Sequence, residues 1–297
     1  MAGRVRSPWP LVTIRFACRR FLLAVHQVPI MTENPTEPDV YRVAVFRQLA
    51  DPHELSEVFQ DVLQLHPTDA LVWSRHVPGI LTEAFSEEQA RTLTAAINQL
   101  GIPCTVIRAT EIPDLHHALP VHHAQCVESG LQLIGLHGEP ETLVPWSAIQ
   151  MICIGEVPVE TSHHFPSGKW SGISAGHHYQ SSGINLASTP SLEAWITCAA
   201  PFPSLRIDHE RMNYEYLGAR RVDSSAVNFK QFVQDLTRQA TAAMLTESTA
   251  AYLRHVVPEH YRFKSPDELI RYATLHAVQA RLAAPACSSH PLSDKVG

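Results

Sequence analysis

Paired histidines are the most conspicuous residues in this sequence that could do chemistry. They occur at 116–117, 122–123, 163–164 and 177–178, and the stretch HHALPVHHAQC (116–126) ends on a cysteine. Imidazole nitrogens and thiolates are ligands that zinc prefers, so this stretch could hold a metal ion. Adjacent histidines, however, point to opposite faces of a strand and diverge by about 100° on a helix. At most one histidine of each pair can therefore join a given centre.

A zinc site needs three or four ligands that converge on one point. His117, His122 and Cys126 could converge if the chain folded back between them, but their spacing matches no usual ligand pattern. Pro120 and the paired arrangement are instead typical of a polar linker. We therefore predict no bound metal and keep these three residues as the alternative metal ligands.

A serine nucleophile is the second chemistry that the sequence suggests. The segment GISAG (172–176) matches G-x-S-x-G, and His177 follows it directly. A nucleophile elbow follows an apolar strand and opens a helix, because its strained turn exposes the serine hydroxyl. The flanking segments PSGKWS and HHYQSSG have neither character. We predict no catalytic residue, and the alternative is a hydrolase that uses Ser174 with His177, or a histidine-bound metal.

Nucleotide cofactors are not indicated. Lys169 follows a glycine as in a phosphate-binding loop, but Trp170 stands where such a loop needs Ser or Thr, and no G-x-G-x-x-G occurs. We predict no cofactor. Trp170 itself lies in a segment rich in Gly, Ser and His, where burial does not explain a tryptophan. Because an exposed tryptophan can anchor a partner, we predict Trp170 as an interaction residue.

The charge distribution argues against a nucleic-acid partner. The net charge is -6, and residues 1–30 hold five arginines and no acidic residue, which leaves 18 basic and 29 acidic residues in the rest of the chain. Binding to phosphates needs clustered Lys and Arg, so we predict that nucleic acid is not a partner. The expected partner is a protein whose identity the sequence does not give.

The N-terminal residues resemble a targeting segment only in part. The apolar run in CRRFLLAV (18–25) is too short for a signal-peptide core, and Arg15 and Arg19 interrupt the longer apolar stretch around it. We predict no membrane span, a disordered extension over residues 1–40, and a true start at Met31; the alternative for the basic, acid-free residues 1–30 is an organelle transit peptide. The six cysteines are scattered without a C-x-x-C, which favours a reducing compartment and a cytoplasmic protein.

The elements that would position any site begin with an α/β module over residues 41–110. YRVAVFR (41–47) alternates like a half-buried strand, and the segment 51–65 opens with Asp51 and Pro52 as a capped helix. Residues 67–77 form a second helix, and ILTEAF (80–85) a short strand. Ser86 and Gln89 form a capping box for the helix 86–101, and the strand 102–108 follows. The predicted order is β-α-α-β-α-β.

This module resembles a known fold. Ala70 in a short helix, Pro78, the acidic SEEQA helix start and Leu100-Gly101 are similar to the ribosomal stalk protein C-terminal domain and the Clp protease adaptor. The adaptor family carries an H-x-x-G, so the resemblance implies His76 as an interaction residue. Arg47, Gln48 and Leu49 replace that family's acidic residues, so binding of a substrate's amino terminus is not implied.

The period changes to that of strands over residues 122–245. Turn residues separate strand-like runs between 122 and 160, and further strands are predicted at 204–208 and 213–217. A helix follows, with Asn228 as its cap. The pattern GL-x-L-x-G…VPW-x-x-I resembles small bacterial pleckstrin-homology-like domains, which implies a β-rich domain with a capping helix. Residues 161–190 show no periodicity and are predicted to be a flexible insertion.

C-terminal helices are predicted over residues 246–283, with a disordered tail over 284–297. The expected fold class is α+β: a small β-α-α-β-α-β sandwich followed by a β-rich pleckstrin-homology-like domain with a capping helix. Because no catalytic constellation emerges, the sequence favours a non-enzymatic protein-interaction or adaptor protein.

Overall fold

The computed structural model describes residues 39–48, 51–135, 137–162 and 186–284. Apart from residues 39–40 and 284, the predicted N-terminal extension and C-terminal tail lie outside this part of the chain. Helices and strands are both abundant, so the fold class is α+β, as predicted. None of the described helices is both long and apolar enough to cross a membrane.

The first elements follow the order that the sequence predicts. They are β1 (Tyr41–Val45), α1 (Pro52–Leu63), α2 (Pro67–Arg75), β2 (Gly79–Ile80), α3 (Glu87–Gln99) and β3 (Cys104–Arg108). The strands form an antiparallel sheet in the order β2-β1-β3. Its strand β2 is shorter than the predicted strand 80–85, of which only Phe85 adds an isolated bridge to Tyr41.

Local chemistry explains why the helices of this module begin where they do. Asp51 stands just before Pro52, the first residue of α1, and its side chain accepts the N–H of His53. The Ser86–Gln89 capping box is complete in both directions.

The helices of this module each bury one apolar stripe against one face of the sheet β2-β1-β3. That core includes Val43 and Val45 of β1 together with Phe59 of α1.

The second group of elements builds two further sheets. Its strands are β4 (Leu119–Pro120), β5 (Ala124–Val127), β6 (Gly130–Ile134), β7 (Pro140–Pro145), β8 (Ile149–Ser162), β9 (Leu186–Cys198), β10 (Leu205–Asp208) and β11 (Met244–Leu245). Its helices are α4 (Ser225–Gln239), α5 (Glu247–Leu253) and α6 (Pro266–Ala283). Short 3-10 helices lie at Ala109–Glu111, Leu115–His117, Trp146–Ala148, Glu215–Arg220 and Pro258–His260. One sheet has the order β5-β6-β7 and the other β11-β8-β9-β10-β4.

The two faces of the five-stranded sheet pack against different helices because side chains alternate along a strand. Ile152 and Ile154 of β8 belong to the core that contains Phe229 and Phe232 of α4. Met151 and Cys153 belong to a second core, which α6 closes with its own apolar residues.

Helix α6 lies between two sheets. Leu269, Ala273 and Ala277 pack in the same core as Met151 and Trp195 of the five-stranded sheet. Leu275 and Val278, on the other side of the helix, pack with Ala44 of β1 and Ile107 of β3. The sheet β2-β1-β3 is therefore covered by α1–α3 on one face and by α6 on the other. The contact with β8 is close, since a Cβ at Gly155 would lie 2.5 Å from Leu269 Cδ1.

Three sequence-based predictions need correction. The predicted strand 213–217 is a 3-10 helix from residue 215, because the buried side chains of Tyr214 and Leu217 are three residues apart. Asn228 is not a helix cap: α4 begins at Ser225 with Ser224 as its cap, and Asn228 lies inside it. The predicted insertion 161–190 is strand at both ends, 161–162 and 186–190, and its middle lies outside the described residues.

Candidate functional site

Strands β8 and β9 continue past every described strand that pairs with them. They pair with each other from Ile149↔Cys198 to Ser162↔Leu186. On one side, β11 pairs only with residues 151–152, and on the other, β10 pairs only with residues 193–196. Residues 158–162 and 186–190 therefore form a two-stranded extension of the sheet, which we call the ribbon.

One edge at the root of the ribbon is held by the chain after α5. Glu156 donates its N–H to the Tyr261 carbonyl at 2.7 Å and accepts the Phe263 N–H at 2.8 Å. Arg262, between them, donates its Nε to the Glu156 carboxylate at 2.7 Å. This edge of β8 is thus paired through backbone and side chain up to residue 156.

The opposite edge is held by His209, which follows β10. Leu192 accepts the His209 N–H at 3.0 Å, and its own N–H donates to Nδ1 of the His209 ring at 3.1 Å. The imidazole therefore serves as the acceptor that a backbone carbonyl would supply if β10 continued. His209 is buried, and its ring packs edge-on against Phe229 at a centroid distance of 6.1 Å.

A pair of prolines marks the first ribbon position on each edge. Pro158 and Pro190 are direct partners in the β8–β9 ladder. Neither has an N–H to exchange, so this pair is one whose backbone groups point away from the partner strand. The alternation of backbone bonding along the ladder agrees. Glu156 and Leu192 are partners that bond outward, and they lie two residues before Pro158 on β8 and two residues after Pro190 on β9. Proline at an outward position withholds the N–H that an added strand would need.

Ser191, Asp208 and His209 bring the residue types of a catalytic triad together at the ribbon root. The Ser191 hydroxyl lies 3.3 Å from His209 Nδ1 and 3.3 Å from Asp208 Oδ1. In a serine hydrolase the hydroxyl and the carboxylate contact opposite ring nitrogens. Here both lie beside Nδ1, which already accepts the Leu192 N–H, and Ser191 is buried. The arrangement holds two strands together and contains no proton relay.

A polar cleft of about 350 Å³ lies between β5, α4 and the 3-10 helix 215–220. Asp235 lines this cleft and accepts hydrogen bonds from the Arg220 guanidinium, in a bidentate pair at 3.0 and 2.7 Å, and from the Tyr216 hydroxyl at 3.2 Å. Burial would raise the pKa of the Asp235 carboxyl, but the Arg220 and Tyr216 hydrogen bonds outweigh it and lower that pKa. The carboxylate is thus ionised and fully used in tying α4 to the preceding segment.

A larger open cleft, about 650 Å³, lies beside the start of α4. Its lining includes Glu215 and Asp223 as well as Arg221. Asn228 also lines this cleft, and its amide is fully engaged because it both donates to and accepts from the Val222 backbone. With charges of both signs, this lining favours no single ligand class.

The structure does not bring the three alternative metal ligands together. His117 is exposed, and its Nδ1 lies 2.6 Å from Asp114 Oδ2 in the same short turn. His122 is exposed, and its carbonyl accepts the Asn213 N–H. Cys126 lines the Asp235 cleft, where burial raises the pKa of its thiol to about 12. Across the described residues, no three His, Cys, Asp or Glu side chains form a group that could hold a metal ion.

The His76-x-x-Gly79 pattern has a backbone explanation. His76 ends α2 and is exposed, and a Cβ at Gly79 would lie 2.8 Å from the His76 carbonyl oxygen. The glycine therefore lets the chain pass close to that carbonyl. This packing accounts for Gly79 without a role for the imidazole, and His76 as an interaction residue stays a prediction.

The predicted interaction residue Trp170 and the alternative catalytic residues Ser174 and His177 lie outside the described residues. The ribbon leads into the segment that contains them. Sequence reasoning missed His209, Pro158 and Pro190, because the relation between these residues appears only once the register of β8 with β9 is known. Both prolines are visible as strand breakers, but they stand 32 residues apart in the sequence.

No protein-family model matches, no curated protein matches, and no solved structure matches.

Proposed function

We propose that this chain is a non-enzymatic interaction protein that binds a protein partner along the outer edges of the β8–β9 ribbon. The single observation that carries the proposal is that β8 and β9 continue beyond the described strands that flank them. An unpaired strand edge presents a row of N–H and C=O groups that can take up a strand of another chain.

The register defines where such a partner would bind. The backbone groups of residues 158 and 190 point away from the partner strand. Because this alternates along the ladder, the backbone N–H and C=O groups of residues 160 and 162 of β8 and of 188 and 186 of β9 also point away from it. The prolines stop an added strand at the ribbon root. A partner strand would thus pair with the outer part of the ribbon and stay separate from the main sheet.

The cluster at the root supports a binding role for the ribbon. Hydrogen bonds hold the two strands in place at the root, and they use the polar groups of Ser191, His209 and Glu156. A rigid root positions the ribbon at a fixed orientation, which lowers the entropic cost of binding a partner.

The expected resemblances and location are part of this proposal. The order β1-α1-α2-β2-α3-β3 supports a stalk- or adaptor-type module, and strands covered by α4 support a pleckstrin-homology-like arrangement. The four described cysteines are free, which supports a reducing compartment such as the cytoplasm.

Site-specific photo-crosslinking in cells that express the protein tests the proposal. A crosslinking amino acid at position 160 or 188 should capture one and the same protein, whereas the exposed Leu143 of β7 should not. The captured protein, once purified, should bind the full chain and lose at least tenfold in affinity, about 1.4 kcal/mol, with Glu160→Pro, which removes an outward N–H. Glu160→Ala, which keeps that N–H, should bind like the native chain. Equal capture at position 143, or equal binding by both variants, would overturn the proposal.

A further inference from the structure

We draw no further inference here: the strongest candidate, the polar cleft between β5, α4 and the 3-10 helix 215–220, carries nothing, because the Asp235 carboxylate in it is already taken up by Arg220 and Tyr216, the cleft's second arginine, Arg238, is an exposed side chain 3.6 Å from that same carboxylate, and nothing in the described part of the chain shows what would fill it.

Discussion

Pro158 lies directly opposite Pro190 at the point where β8 and β9 pass the last described residues that pair with their outer edges. The pair removes one hydrogen-bond donor from each edge at the same level of the ribbon. On one side the last paired residue is Glu156, and on the other it is Leu192. The prolines thus end strand pairing on the outer edges of β8 and β9 at the ribbon root, although both strands continue outward.

Replacing both prolines by threonine should open the edges to strand pairing. The double variant Pro158→Thr/Pro190→Thr regains an outward N–H on each strand, so we expect a higher average mass than the native chain at micromolar concentration. Sedimentation velocity over a concentration series measures this change. Pro67→Thr, at the exposed start of α2, is the matched control and should sediment like the native chain. Identical masses for all three proteins would show that the prolines do not guard the edges.

Removing the His209 ring nitrogen should destabilise the fold. His209→Phe keeps an aromatic ring against Phe229 but leaves the Leu192 N–H without its acceptor, which costs about 2 kcal/mol for a buried donor. Ser191→Ala removes only the hydroxyl beside the same nitrogen and should cost less than about 1 kcal/mol. Urea unfolding measures both changes. An effect of Ser191→Ala as large as that of His209→Phe would contradict the assigned hydrogen bonding.

Gly155 and Leu269 should be energetically coupled across the contact between β8 and α6. Gly155→Ala pushes a methyl group against the buried Leu269 side chain and should cost about 1–3 kcal/mol. Leu269→Ala leaves a cavity that costs about 2–5 kcal/mol. The double variant's loss in free energy of unfolding should be smaller than the sum of the two single losses by at least about 1 kcal/mol, because each change accommodates the other. Additive losses in a double-mutant cycle of urea unfolding would rule out this close contact.

Asp235→Asn should reduce stability by about 1–3 kcal/mol at pH 7, because it breaks a half-exposed bidentate pair with Arg220. The folded-state pKa of Asp235 is depressed, so its contribution is present above the unfolded pKa of about 3.9. That contribution is lost as the pH falls through the folded value. Native chain and variant should therefore differ most above pH 5 and converge in acid, as measured by urea unfolding from pH 7 to pH 3.

The control for this pH dependence is Glu87→Gln. Hydrogen bonds from Arg91 and Tyr41 lower the pKa of the Glu87 carboxyl, but the group is fully exposed to solvent. We expect the Glu87→Gln variant to follow the native curve closely. A gap between native chain and Asp235→Asn that stays constant down to pH 3 would contradict the ionised pair.

The N-terminal module was predictable because its signals are local. The Ser86–Gln89 capping box and the spacing of Leu93 and Ile97 identify α3 from one stretch of sequence. The strand β9 was not predicted, because Glu193 interrupts its apolar run. That carboxylate is buried, and it is accommodated by Arg206 on β10 and by the Trp195 indole N–H. Such compensation depends on a neighbouring strand that a local pattern does not reveal.

The candidate site was less predictable than the fold. The sequence drew attention to histidine pairs, whereas the histidine that holds the ribbon root is the single His209. This role of His209 requires that β10 lie beside β9 and that β10 end at Asp208, the residue before His209. Likewise Asn228 resembled a helix cap from its residue type, but its amide is committed to Val222 six residues before it.

The position of α6 between two sheets has a consequence for how the protein matures. During synthesis the first module appears early, and its local contacts can form as soon as its residues emerge. Its second face, with Ala44 and Ile107, stays bare until Leu275 and Val278 have been made. A nascent chain thus exposes an apolar surface while residues 108–274 are being made, and the single helix α6 then covers apolar faces of both sheets.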